Sequence, residues 1–205
     1  MVNLLLNSGS ALLNGGILKF YDKITPTDNA YIDTEYIPNL TNKFVAKVST
    51  KNTDYCIYSN LRTSSENNTI RFFRTGRSLY MAYGAYRVQN APPNLPTDIE
   101  LEHSHTEYVT INNDSSTYKT SLGDFIISNS LHIFHDGYRN ASGETAYDYF
   151  NDNSLYSFKI YENDVLVRDF KPCTYNGVAG LWDMVESKFY DNSNSVGTLT
   201  VSNDV

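Results

Sequence analysis

From Leu155 onward the chain alternates apolar and polar residues with a period of two. Tyr156, Phe158 and Ile160 alternate with Ser157 and Lys159, Glu162-Asn163-Asp164 interrupts, and Val165, Val167 and Phe170 resume. Successive side chains of a strand point to opposite faces, so this pattern predicts two half-buried strands joined by a turn. Pro172 has no N–H for a ladder, which predicts that the return strand ends near Phe170. A second hairpin follows, with Trp182 and Met184 alternating with Asp183, a turn at Glu186-Ser187, and a return through Lys188-Phe189-Tyr190. A plain two-residue turn in the first hairpin would set Lys159 against Arg168, which like charges disfavour. The turns are therefore better determined than the register.

The same pattern runs upstream. Phe44, Ala46 and Val48 alternate with Lys43, Val45 and Lys47. Further strands are expected at Tyr55–Arg62, Ile70–Phe73, Leu79–Gly84, Ile99–Asn112, Ser121–Ser128 and Leu131–Phe134. Polar loops fall at 63–68 and 135–153, and the proline-rich 90–97 reads as a loop within one domain. A dozen or so short strands without helical spacing point to an all-β sandwich of two antiparallel sheets.

Length and charge narrow this picture. A chain of 205 residues fits one such sandwich and can build its core without disulfides. Cys56 and Cys173 are accordingly expected as buried reduced thiols. The net charge of −7 argues against nucleic acid as a partner, because binding phosphates needs a basic surface. Residues 1–16, MVNLLLNSGSALLNGG, lack the basic start and long apolar run of a signal peptide, and no stretch is long enough to insert in a membrane. They form either an arm that docks on a neighbouring subunit or a first strand, with 17–205 as the sandwich domain.

The closing stretch, LYSFKIYENDVLVRDFKPC followed by GLWDMVESKFY, resembles the last hairpins of concanavalin A-like (laminin-G-like) jelly-roll domains found in bacteriophage virion structural proteins. Near the start, Tyr31-Ile32-Asp33-Thr34-Glu35-Tyr36-Ile37-Pro38-Asn39 resembles that family's opening segment. Three positions depart from the pattern: Glu35 and Asp164 stand where glycine is common, and Trp182 where tyrosine is. Asp tolerates the left-handed backbone of a turn, though less well than glycine.

Carboxylates, histidines and loop oxygens are the residues that could carry chemistry. A retaining glycosidase needs two carboxylates about 5–5.5 Å apart. Asp33 with Glu35, and Glu100 with Glu102, have the spacing of one strand face, but a solvated face explains both pairs. His103 and His105, and His132 and His135, are expected as surface or interface histidines, since a metal site needs three or four ligands. Asn112-Asn113-Asp114 and the segment Tyr147-Asp148 to Asn151-Asp152-Asn153 offer oxygens for calcium but no fixed-spacing signature. No other cofactor is expected. Arg62, Arg71, Arg74 and Arg77, with Tyr83, Tyr86, Tyr138, Tyr147 and Tyr149, form the candidate ligand or partner surface.

The resemblance implies a non-enzymatic virion structural protein of a tailed bacteriophage: a head fibre, capsid decoration or tail appendage displaying a lectin-like module for adhesion or assembly. Its partners would be other virion proteins, further copies of itself and host-surface glycans. It would be made in the host cytoplasm without a signal peptide. The alternative is a carbohydrate-binding lectin-like module with a loop calcium site, and a glycan hydrolase would need carboxylates that the sequence does not show.

Overall fold

The computed structural model of the chain describes residues 10–13, 15–49, 55–60, 69–75, 78–83, 86–90, 98–104, 109–111, 114–116, 126–135, 137–139, 145–147, 153–193 and 197–203. Among them the strands are β1 (Ser10–Leu13), β2 (Gly16–Phe20), β3 (Lys23–Thr27), β4 (Ile32–Asp33), β5 (Asn42–Ser49), β6 (Tyr55–Asn60) and β7 (Ile70–Thr75). There follow β8 (Ser78–Tyr83), β9 (Tyr86–Asn90), β10 (Asp98–Ser104), β11 (Val109–Ile111), β12 (Asp114–Ser116) and β13 (Leu131–Ile133). The chain continues with β14 (Gly137–Arg139), β15 (Thr145–Tyr147), β16 (Ser154–Glu162), β17 (Val165–Tyr175), β18 (Val178–Asp183), β19 (Lys188–Tyr190) and β20 (Thr198–Ser202). No helix occurs among the described residues.

The larger sheet has the order β1-β2-β17-β16-β5-β10-β11-β12, with β18 and β19 added beside β17 and β3 and β20 beside β16. The smaller sheet has the order β4-β13-β6-β7-β8-β9, and β14 and β15 pair only with each other. All these pairings are antiparallel. The protein is an all-β sandwich built on two main antiparallel sheets. Two expected strands resolve differently: Ile99–Asn112 divides into β10 and β11, which pair antiparallel, with 105–108 and 112 outside the described residues; of Ser121–Ser128, 126–128 is not strand and 121–125 lies outside them. The loop expected over 135–153 contains β14 and β15.

The alternation in β5 decides what lies inside. Phe44, Ala46 and Val48 are buried, and Lys43, Val45 and Lys47 face outward. Ile99 and Leu101 of β10, and Leu155, Phe158 and Ile160 of β16, line the same inner face. Opposite them stand Tyr58, Ile70, Phe72, Leu131 and Ile133 of the smaller sheet. Tyr58 lies 5.2 Å from Phe44 and 5.1 Å from Phe158 between ring centroids. Each such aromatic pair adds about 0.5–1.5 kcal/mol beyond its buried area. The Tyr58 hydroxyl shares a hydrogen bond of 2.7 Å with His103 Nδ1 of β10, joining the two sheets in the core. Both cysteines are buried reduced thiols, and burial pushes the Cys173 thiol up to about 12.

The closing hairpin removes the clash of like charges through a bulge. Asn163 and Asp164 make the tight turn with positive φ at both positions (49° and 63°), the hairpin turn that suits strand twist. Glu162 pairs with Val165 and Tyr161 with Leu166, but Ile160 then pairs with Arg168, leaving Val167 as the extra residue. Lys159 consequently faces Asp169 rather than Arg168. Arg168 turns to the inner face.

Nor does the strand end near Phe170. β17 runs through Pro172 to Tyr175, because Pro172 sits where its missing donor has no β16 partner left. On that edge β16 pairs last at Phe170, β2 pairs from Cys173 onward, and the Pro172 carbonyl accepts the Tyr21 N–H at 3.0 Å between them.

Asp183, fully buried, holds the second turn. Its Oδ1 accepts the backbone N–H of Val185 (2.9 Å) and of Asp169 (3.1 Å), and its Oδ2 lies 3.4 Å from Arg168 Nε. Arg168 also pairs with Glu186 at 2.6 Å and lies over the Tyr36 ring, and the Tyr190 hydroxyl donates to Glu186 at 2.9 Å. Burial, with Glu186 adding to it, pushes the Tyr190 phenol above its ordinary value.

Replacing one partner of such a buried pair strands the other charge, so Asp183→Ala should cost about 3 kcal/mol in urea unfolding. Asp164→Gly, which relieves a left-handed residue in an exposed turn, should instead raise the thermal midpoint by about 2 °C. A fall in midpoint for Asp164→Gly would contradict the turn geometry.

Candidate functional site

The outer face of the larger sheet carries a grid set by strand register. Across β10, β5 and β16 one row reads Glu100, Lys47, Ser157, and the next reads Glu102, Val45, Lys159. A third row reads Ser104, Lys43, Tyr161. Val45, shorter than the chains around it, floors an open depression of about 360 Å³ ringed by Lys43, Lys47, Glu100, Glu102, Ser157, Lys159 and Tyr161. A bulge between Leu155 and Ser157 inserts Tyr156 beside this rim.

Charge pairing across the grid is uneven. Lys43 lies 3.9 Å from Glu102 and 3.3 Å from Asp164, and its ammonium sits 4.8 Å above the Tyr161 ring. Lys47 lies 5.2 Å above the Tyr156 ring, whose hydroxyl donates to Asp98 at 3.4 Å. Among the described residues no carboxylate is placed within ion-pair distance of Lys47 or Lys159. This face therefore offers two ammonium groups without a carboxylate partner among the described residues, hydroxyls and two carboxylates around an apolar floor.

The surface expected from the sequence lies elsewhere. Arg62, Arg77 and Tyr149 fall outside the described residues, and of Arg74, Tyr83, Tyr86, Tyr138 and Tyr147 the structure gives strand positions alone. Register sets Tyr83 opposite Tyr86, Arg74 opposite Tyr55, Tyr138 opposite Ala146 and Tyr147 opposite Gly137. Arg71 is buried, only 4% exposed, so it is no part of an open binding surface. Asp33 and Glu35 do not share a strand face, because β4 ends at Asp33 and Glu35 adopts φ 55°. Of the proposed calcium loops, Asp114 is in β12, Asn153 is buried, and residues 112–113 and 148–152 are outside the described set. The residues missed, Lys43, Lys47, Ser157, Lys159 and Tyr161, were visible as the polar half of each alternating strand. Their meeting required knowing that β16 pairs with β5.

The histidines expected at the surface are buried at 103, 132 and 135, while His105 lies outside the described residues. His132 Nδ1 and His135 Nδ1 are 3.0 Å apart, Tyr31 stacks on both rings, and Asp33 lies 3.7 Å from His132 Nε2. Burial, aided by His132, pushes His135 down to about 3. For Asp33, burial acts upward, but hydrogen bonds from His132, Ser130 and the Glu35 N–H outweigh it and hold the carboxyl at about 2. Among the described residues no three His, Cys, Asp or Glu side chains are grouped as a metal ion requires.

No family model matches the sequence, and no curated protein sequence matches it. Among solved structures, the laminarinase from Flavobacterium sp. UMI-01 is similar at 9% identity with a TM-score of 0.39, over 77% of this chain and 83% of that one.

The buried histidine pair has a consequence for acid stability. Below its unfolded value of 6.5, His135 takes a proton in the unfolded chain but refuses it in the fold until about pH 3. Stability should thus fall with pH through that window, by at most about 1.4 kcal/mol per pH unit from this group. Asp33 adds a further loss between its unfolded 3.8 and about 2. In His135→Asn the slope of unfolding free energy between pH 6 and pH 4 should flatten by about 1 kcal/mol per unit. An unchanged slope would place the acid lability in other groups.

Proposed function

We propose that the protein is a non-enzymatic structural module of a tailed-phage particle, serving as head fibre, capsid decoration or tail appendage, with its jelly roll used for adhesion or assembly. The observation that carries the binding half of this reading is the outer sheet face, where Tyr161, Ser157, lysines and two carboxylates surround an open depression. A glycosidase acid must be desolvated to hold its proton near neutral pH. Here Glu100 is exposed and Glu102 faces Lys43, which suits hydrogen bonding to a ligand more than proton transfer.

Support for the particle comes from the closing hairpins and the YIDTEYIPN segment, which resemble phage structural domains. The departures from that family's pattern fit the same backbone, since Glu35 and Asp164 both adopt the positive φ that glycine would hold there. In this reading the chain assembles with further copies of itself and other virion proteins, is made in the host cytoplasm, and uses no cofactor, nucleic acid or membrane. The second reading, a lectin-like carbohydrate-binding module, is favoured by the Ser157 and Tyr161 hydroxyls and the Glu100 and Glu102 carboxylates in the lining, which suit hydrogen bonding to sugar hydroxyls. A loop calcium ion belongs to that reading only.

Antibody raised against the recombinant chain, applied as immunogold to purified particles, tests the proposal. Label on the head would indicate a fibre or decoration, and label on the tail would indicate host contact. Clean particles without label would overturn the virion role. Turnover of a surface polysaccharide that is lost in Glu100→Gln or Glu102→Gln would overturn the non-enzymatic reading.

A further inference from the structure

We propose that the depression over Val45 binds an acidic saccharide, a sugar bearing a carboxylate beside free hydroxyls. This rests on the adhesion reading above and gives it a ligand class.

The two sides of the depression differ in charge. On one side Lys47 and Lys159 flank Ser157, all three pointing outward from adjacent strands around Val45. Neighbouring strands lie about 5 Å apart and alternate residues about 7 Å apart, so one carboxylate reaches both ammonium groups and the hydroxyl. On the other side Glu100 and Glu102 accept hydrogen bonds from sugar hydroxyls, and Lys43 balances Glu102 at 3.9 Å. Val45 supplies the apolar patch for a ring's C–H face.

A neutral sugar matches this face less well. Sugar stacking needs a bare aromatic face, and Lys43 and Lys47 sit above the rings of Tyr161 and Tyr156. A polyphosphate or nucleic acid is disfavoured by the two carboxylates in the lining and by the net charge of −7. A ligand carboxylate would draw Lys47 from the Tyr156 ring, exchanging a cation–π contact for an ion pair.

The test titrates the whole chain with a galacturonic acid trisaccharide and, separately, with the neutral galactose trisaccharide, by calorimetry. The acidic sugar should bind, the neutral one at least about tenfold more weakly, and raising salt to about 0.3 M should weaken the acidic sugar. The double variant Lys47→Ala/Lys159→Ala should lose about tenfold in affinity for the acidic sugar. Lys19→Ala, away from this face, should lose nothing, and unchanged melting temperatures would show that each variant is folded. Equal affinity for both sugars, no binding of the acidic sugar, or indifference to the two lysine substitutions would overturn the proposal. Its failure is separate from that of the virion role: a chain found on particles that binds neither sugar loses the ligand class alone. One that binds the acidic sugar but is absent from particles loses the virion role alone.

Discussion

The hydrogen bond between Tyr58 and His103 sets the terms for the rest of the sandwich. A hydroxyl placed in the middle of an apolar core must find a partner or lose the full cost of leaving water. His103 of β10 meets it at 2.7 Å, and the packing of Phe44, Phe158 and Phe72 around the Tyr58 ring fixes where the two sheets stand. Once His103 faces inward, strand periodicity leaves Glu100 and Glu102 no face but the outer one. The same holds for Phe44 and its neighbours Lys43 and Val45. The core and the candidate binding face are therefore one alternation seen from two sides, and neither can change register without the other.

Much of that alternation was legible in the sequence. The inward set of β5, the two closing turns and the reduced cysteines follow from residue type and spacing alone. What escaped was whatever depends on a partner strand. Pro172 is a strand breaker only where a neighbour asks for its N–H, and here β16 has already left that edge. His132 and His135 look like surface residues until β13 is seen between β4 and β6, with Tyr31 stacked over both rings. The lysines of the outer face are ordinary solvated residues in each strand taken singly, and they become a site only when β10, β5 and β16 lie side by side.

Asp183 shows why the closing segment carries so recognisable a string of residues. Its carboxylate serves two backbone donors and a guanidinium, and that guanidinium reaches Glu186, which in turn receives the Tyr190 hydroxyl. Gly180 is required nearby because a Cβ there would collide with the Tyr190 carbonyl and the Phe189 ring. Trp182 points to the other side, where it forms a second apolar cluster with Leu18 and Cys173. Each of these identities answers a local steric or electrostatic demand, so a family resemblance here reports on folding before it reports on binding.

The bulge at Val167 also determines how this hairpin tolerates insertions and deletions. A ladder with a period of two distinguishes only odd from even, and Val167 is the single residue that makes the count odd between the Asn163-Asp164 turn and Arg168. Loss of Val167 alone would close the ladder as a plain hairpin, with Ile160 still opposite Arg168 and Lys159 still opposite Asp169. Loss of a second residue would set Arg168 opposite Tyr161 instead, turning it to the solvent side and stranding the Asp183 carboxylate in the interior. The bulge thus gives this hairpin a margin of one deletion and no more.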